Sequence, residues 1–297
     1  MASMSGVTGW LTIPTGQESQ AGASSATIKI DSARVTIPRD VFDDSSWATA
    51  SNHRAKCVGM AGLTGNANCR IDKAAIPGLI TALAVENDPG HAFVLYAERA
   101  ARSLDFTGLL SRYSFRLRKS DPVSFTVDFS SNGAVTAGTT AIGTPTNSTG
   151  ATLYGTGCYL TLGSGAPVNG VTFNVEEMDF DAERELIPDD YFDAGAAVNW
   201  KRFIGGMYQL TGRASGPMII GQPFSVGNFG TVQSGPSESY EIQLADGTVD
   251  GTYTFPAVCS LIGYSLDKRG RTIVEVSFES SWTNTTPDIV VAQPTYV

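Results

Sequence analysis

Asp31-Ser-Ala-Arg-Val-Thr-Ile-Pro-Arg-Asp-Val-Phe-Asp43 returns 150 residues later as Asp181-Ala-Glu-Arg-Glu-Leu-Ile-Pro-Asp-Asp-Tyr-Phe-Asp193, with seven of thirteen positions identical. A second block follows at a spacing of 147. It pairs Asn52 with Asn199, Gly59 with Gly206, Met60 with Met207, Leu63 with Leu210, Thr64 with Thr211, Gly65 with Gly212 and Ala67 with Ala214. Shorter echoes flank both blocks. Trp10-Leu-Thr-Ile13 matches Tyr159-Leu-Thr-Leu162, Tyr113-Ser-Phe115 matches Tyr264-Ser-Leu266, and Val127-Asp-Phe-Ser130 matches Val276-Ser-Phe-Glu279. The echoes keep one order, which reads as a tandem duplication. Copy one spans residues 1–150 and copy two 151–297, with a Gly/Thr/Ser-rich linker at 136–157.

Working outward, the periodicity inside each copy is mostly two, the signature of strands. Ser124–Phe129 and Thr272–Phe278 read as strands, as do Ala26–Ile30, Val171–Val175, His91–Tyr96 and Tyr240–Leu244. Two more are expected to end at Leu63-Thr-Gly65 and Leu210-Thr-Gly212. One helix is expected over Asp72–Val85, capped by Asp72 and weakened by Pro77 and Gly78. Its counterpart in copy two, Phe224–Pro236, is Gly-rich, so the helix is expected to be shortened or lost there. The fold class expected is therefore all-β with minor α, in two domains.

Of 297 residues, 42% are hydrophobic and 16% charged, with 32 glycines. Low charge with abundant Gly suits tight-turned β-structure that buries surface against copies of itself. The net charge of −9 disfavours a nucleic-acid-binding surface. It is unevenly divided: residues 1–150 carry 13 Lys/Arg against 12 Asp/Glu, and residues 151–297 carry 7 against 17. Met1–Pro14 lacks the basic and apolar regions of a signal peptide, and no stretch is long enough for a membrane helix, so folding in a cytoplasm is expected. Cys57, Cys69, Cys158 and Cys259 have no metal-ligand spacing. They read as buried free thiols, with a Cys57–Cys69 bridge across a hairpin as the alternative.

Little catalytic chemistry is on offer. His53 and His91 are the only histidines and neither sits in a nucleophile or metal motif, so no enzyme, metal or cofactor is expected. The sharpest feature is acidic: alternation along a strand places Glu177, Asp179, Asp181, Glu183 and Glu185 on one face. That face reads as a negative surface lining a channel or meeting a basic neighbour, with a plain solvated face or a cation site as bland alternatives. The Ile-Pro-x-Asp-x-Phe-Asp element supplies Pro38, Asp40, Phe42 and Asp43, then Pro188, Asp190, Phe192 and Asp193. It reads either as an intrinsic turn or as a loop docking onto a neighbouring subunit.

The ordered set resembles the tail tube family of long-tailed bacteriophages. It runs from a Thr/Gly-rich first strand to an acidic, aromatic loop at Pro38–Trp47 and Pro188–Trp200, then a strand carrying Leu-Thr-Gly. Gly251-Thr-Tyr-Thr-Phe-Pro-Ala-Val-Cys-Ser260 and a terminal strand closing in Val276-Ser-Phe-Glu-Ser-Ser281 complete it. The resemblance implies β-sandwich or barrel domains whose inner sheets close into a ring barrel on oligomerisation. Most members carry one domain per chain and form hexamers. A duplicated chain departs from that, and resembles members that form homotrimeric rings with pseudo-sixfold symmetry. The implied role is a structural virion protein, assembled in the host bacterial cytoplasm. Its rings would stack into a conduit for DNA ejection, contacting other tail proteins (hub, terminator, tape measure) and passing double-stranded DNA without specific binding. The alternatives are a tail hub or tube terminator ring and, from another class, a capsid decoration or carbohydrate-binding module.

Overall fold

The computed structural model describes residues 9–14, 25–43, 56–70, 90–98, 102–138, 153–162, 171–189, 200–217, 238–245, 250–266, 270–280 and 290–292. Among these residues there is no helix, and the chain is all-β. The expected helix at 72–85, its Gly-rich counterpart at 224–236 and most of the 136–157 linker lie outside the described residues.

The first half contributes β1 (Trp10–Pro14), β2 (Ser25–Thr36), β3 (Arg39–Asp43), β4 (Lys56–Ala61), β5 (Thr64–Arg70), β6 (His91–Glu98), β7 (Arg102–Arg118) and β8 (Ser124–Gly138). The second contributes β9 (Tyr159–Leu162), β10 (Val171–Asn174), β11 (Glu177–Pro188), β12 (Phe203–Pro217), β13 (Glu238–Ala245), β14 (Asp250–Leu266), β15 (Thr272–Ser280) and β16 (Val290–Ala292). All pairings between them are antiparallel.

In the first half, neighbours run from β1 through β2, β5, β8, β7 and β6 and return to β1. The long strands bend at bulges and serve two sheets, which gives a sandwich with shared corner strands. The second half repeats the scheme pair for pair. Trp10↔Lys29 becomes Tyr159↔Asn174, Thr36↔Thr64 becomes Asp181↔Thr211, and Gly65↔Phe129 becomes Gly212↔Phe278. Likewise Phe115↔Phe125 becomes Tyr264↔Val274, and His91↔Gly108 becomes Glu238↔Ala257. Even the bulges recur: Leu110/Arg112 at Cys259/Leu261, and Arg39/Val41 at Arg184/Leu186.

This register corrects two of the sequence echoes. Thr36 corresponds to Asp181, a spacing of 145, so the identities read at 150 between Asp31–Asp43 and Asp181–Asp193 do not share ladder positions. Arg39, not Arg34, stands where Arg184 stands. Tyr264 corresponds to Phe115 instead of Tyr113. Leu63-Thr-Gly65 is the joint between β4 and β5, and Leu210-Thr-Gly212 lies inside β12, so neither ends a strand. The glycines there have a packing reason. A Cβ on Gly65 would run into the Phe129 ring, and one on Gly212 into the Phe278 ring directly across the ladder.

Alternation along the strands builds one continuous core. Phe93, Phe106 and Phe129 stack in the first half, with centroids 5.3–5.7 Å apart. Phe180, Phe255 and Phe278 cluster in the second. Phe115 joins the two, touching Phe180 at 5.3 Å and Tyr253 at 6.1 Å. Tyr113 and Tyr253 share a hydrogen bond of 3.2 Å between their hydroxyls, both fully buried.

All four cysteines are free, so Cys57 and Cys69 are not bridged. Cys57 is exposed and Cys259 half-buried, which corrects the expectation of four buried thiols; Cys69 and Cys158 are buried. Burial, with Asp31 nearby, pushes the Cys69 thiol up to about 12 from its ordinary 9.0. The folded state thus holds this proton more tightly than the unfolded chain. Its contribution is complete below pH 9 and is lost as the pH rises toward 12. Buried Tyr113 and Tyr253, and half-buried Tyr208, are shifted the same way from 10.0 by desolvation and add to the loss at higher pH. The urea midpoint should therefore fall progressively above pH 9. Cys69→Val should flatten the first part of that fall, before the tyrosines begin to titrate.

Candidate functional site

Arg112-Tyr-Ser-Phe-Arg-Leu-Arg118 alternates polar with apolar residues, and so does Glu177-Met-Asp-Phe-Asp-Ala-Glu183. In extended chain each set divides cleanly between two faces. β7 and β11 pair over these residues and join the halves edge to edge. On the buried face Met178 lies opposite Leu117, Phe180 opposite Phe115 and Ala182 opposite Tyr113. On the exposed face acid meets base. Arg116 donates to Asp179 at 2.9 Å and Arg112 to Asp181 at 2.6 Å. Glu183 stands 3.2 Å from Arg112, Arg118 reaches Glu177 at 2.5 Å, and Lys119 reaches Glu176 at 3.1 Å. Hydrogen bonding to Asp181 raises the pKa of Arg112, and hydrogen bonding to Asp179 does the same for Arg116. At the end of the junction, buried Arg184 donates to the Leu110 carbonyl at 3.1 Å, tying β11 to the bulge in β7.

These pairs are half-buried to exposed, so water still screens them and each contributes about 0–1 kcal/mol. Register is held more firmly by the alternation itself, since a one-residue slip of either strand would turn its charged side chains onto the core face. A double-mutant cycle on Arg112 and Asp181 should give a coupling near ~0.5–1 kcal/mol that shrinks toward zero at about 1 M salt. An unscreened coupling of several kcal/mol would contradict the exposure of both side chains.

The junction makes a continuous eight-stranded sheet in the order β14-β15-β12-β11-β7-β8-β5-β2. One face covers the core and the other is polar. One row across it reads Ser277, Arg213, Asp179, Arg116, Ser124, Arg70. The next reads Glu279, Thr211, Asp181, Ser114, Thr126, Asn68, Ser32. Above its second-half end lies a hollow of about 430 Å³ lined by Glu177, Asp179, Arg213, Gly263, Tyr264 and Glu275, among others. Among the described residues no three His, Cys, Asp or Glu side chains converge as a metal site needs.

Glu177, Asp179, Asp181 and Glu183 thus come together at the junction and on the polar face at once. Glu185 is exposed in the bulge between Arg184 and Leu186, past the β7 pairing. The docking-loop candidates of the first half are not in a turn. Pro38 links β2 to β3 and its carbonyl accepts from the Gly62 amide at 3.1 Å. Asp40, Phe42 and Asp43 belong to β3, because β3 and β4 zip into a two-stranded arm. Asp40 accepts from Lys201 at 3.1 Å, Asp43 lies 3.3 Å from Lys56, and Phe42 is 59% exposed beside exposed Val41 and Val58. Pro188 ends β11 opposite Phe203; Asp190, Phe192 and Asp193 lie outside the described residues. Reading the sequence passed over the basic strand β7, although its alternation over residues 112–118 is as regular as that of the acids it meets. No protein-family model matches this chain, and no curated protein matches it.

Among the described residues, no strand pairs with the second edge of β2 beyond Ile30 or of β14 beyond Ala257. Counterparts of buried Met178, Phe180 and Ala182 are Ala33 and Val35 on β2 and Ile37 just past its end, which are exposed, half-buried and 50% exposed. Counterparts of buried Tyr113, Phe115 and Leu117 on β14 are Ile262, Tyr264 and Leu266, the first two half-buried and the last 76% exposed.

Proposed function

We propose that this chain is a structural, self-assembling protein whose copies join head to tail, three to a ring, as a building block of a phage tail tube. The observation that carries the assembly is the internal junction: β7 and β11 bury a seam whose two matching halves, β14 and β2, have no strand partner on their outer edges among the described residues, at the two ends of the same sheet. A chain with two different and complementary edges makes heterologous contacts, which close into a ring or run on as a fibre. Closure also removes open strand edges that otherwise invite aggregation. The tail tube assignment adds the sequence resemblance and the duplicated domain, which give a six-lobed ring from three chains.

The polar face of the eight-stranded sheet suits the bore. Arg70, Arg112, Arg116 and Arg213 on it are engaged by carboxylates, so passing phosphates gain little by displacing counterions, and apolar side chains reach these rows only at the β14 end, where Leu261 stands across from Ser277 and Val258 from Glu279. The exposed apolar residues on the arm, Val41, Phe42 and Val58, suit contact between stacked rings.

Negative-stain electron microscopy over a concentration series tests this reading. Hollow rings with threefold symmetry and six lobes, stacking into tubes at higher concentration, are expected. Rings that never stack would move the role to a hub or terminator. Compact particles without a central hole at every concentration would overturn it.

A further inference from the structure

The internal junction also states how a second copy seats. β11 meets β7 with Phe180 opposite Phe115, Asp179 opposite Arg116 and Ala182 opposite Tyr113. Carrying each residue to its counterpart in the other half sets Val35 opposite Tyr264, Arg34 opposite Ser265 and Ile37 opposite Ile262. We propose that β2 of one copy pairs antiparallel with β14 of a second copy in this register, so that Ala33, Val35 and Ile37 close over Leu266, Tyr264 and Ile262. The inference rests on the head-to-tail reading above and adds to it the residues that meet.

Three observations carry it. The apolar residues exposed at the two edges occupy the positions that the internal junction buries completely. β14 carries the same bulge as β7 immediately before the pairing residues, so both present the same edge geometry. The charges then sort the two junctions. Where the internal junction has Asp179 against Arg116, the open edges have Arg34 and Ser265. Offered to β7 of another copy, Arg34 would face Arg116, a like-charge pair across a ladder. Offered to β14, it faces Ser265 and, past the bare backbone of Gly263, the hollow holding Glu177, Asp179 and Glu275 against Arg213. Alternation around an assembly follows, because β7 and β11 already occupy each other's edge within every chain and leave β2 and β14 of different copies to meet.

Disulfide trapping tests the register in the full-length chain, with Cys57 and Cys259 replaced by Ser to remove the accessible native thiols. Arg34→Cys/Ser265→Cys and Val35→Cys/Tyr264→Cys are adjacent pairs, so one of them falls at the close, non-hydrogen-bonded spacing that a disulfide spans. Arg34→Cys/Gly263→Cys is the control, displaced by two residues. Mild oxidation should convert at least one in-register variant into covalent multimers, reversed by reductant, at roughly tenfold or more the yield of the control. Rings by microscopy with cross-links only in the displaced pair, or in none, would overturn this register and leave the assembly reading standing. Particles that stay monomeric and without a central hole at every concentration would overturn both.

Discussion

Phe180→Ala should lower the unfolding free energy by about 3–5 kcal/mol, the largest effect expected of any single core truncation here. Phe180 is 1% exposed and lies on β11 with its ring 5.3 Å from Phe115, 5.7 Å from Phe255 and 6.4 Å from Phe278. Removing it deletes the apolar area of a whole ring and leaves a void that three other aromatic rings cannot close by rotating. It also cuts the main packing contact across the junction, since Phe115 belongs to the other half. Urea unfolding should show a lower midpoint, while Glu185→Ala, on the exposed side of the same strand, should change stability by less than about 0.5 kcal/mol. A loss below about 1 kcal/mol for Phe180→Ala would mean that β11 does not pack on β7 as described.

The second large effect is Gly216→Ala. Gly216 is buried in β12, where a Cβ would overlap the Asn174 carbonyl and press on the Glu176 amide. Both obstacles are backbone, and neither can swing aside. The Glu176 amide donates to Ser215 and its carbonyl accepts from Lys119, each at 2.9 Å, so the crossing segment is held from two sides. One methyl group is therefore expected to cost about 3 kcal/mol or more, or to prevent accumulation of folded protein. Gly263→Ala is the contrast. A Cβ there meets the Glu275 side chain at an ordinary 3.8 Å, and stability should stay within about 1 kcal/mol of the parent. Equal soluble yield and equal urea midpoints for the two variants would contradict the close crossing of β10 and β12.

Strands were legible in the sequence wherever alternation was strong: 124–129, 272–278, 91–96 and the acid face of 177–183 all stand in strands. Register was not. Identity between the copies marks residues of the same chemistry, whereas equivalence is set by the hydrogen-bonded ladder, and the two have moved apart by five residues around Arg34 and Arg184. An odd displacement reverses the face of every side chain. Arg34 accordingly points outward and is exposed, while Arg184 points inward, is 4% exposed and holds the Leu110 carbonyl. The shift between Tyr113 and Tyr264 is even, so it keeps the face and changes only the position along the strand. Leu-Thr-Gly was visible as a motif, but its cause was not, because the rings that need the glycines lie more than sixty residues away in sequence. The junction was half legible. The acids drew notice as a run, and the arginines did not, because they are spaced by aromatic residues and look like an ordinary strand.

The eight-stranded sheet has a consequence for size. Strands sit about 4.8 Å apart, so each chain adds about 38 Å of perimeter measured across its strands. Any closed assembly built from these edges can change calibre only in whole chains, by about 12 Å of diameter at a time before strand tilt is counted. Side chains can line such a bore and loops can decorate it, but neither can adjust its width by small amounts. Width becomes a counted quantity, set by how many copies close the circle.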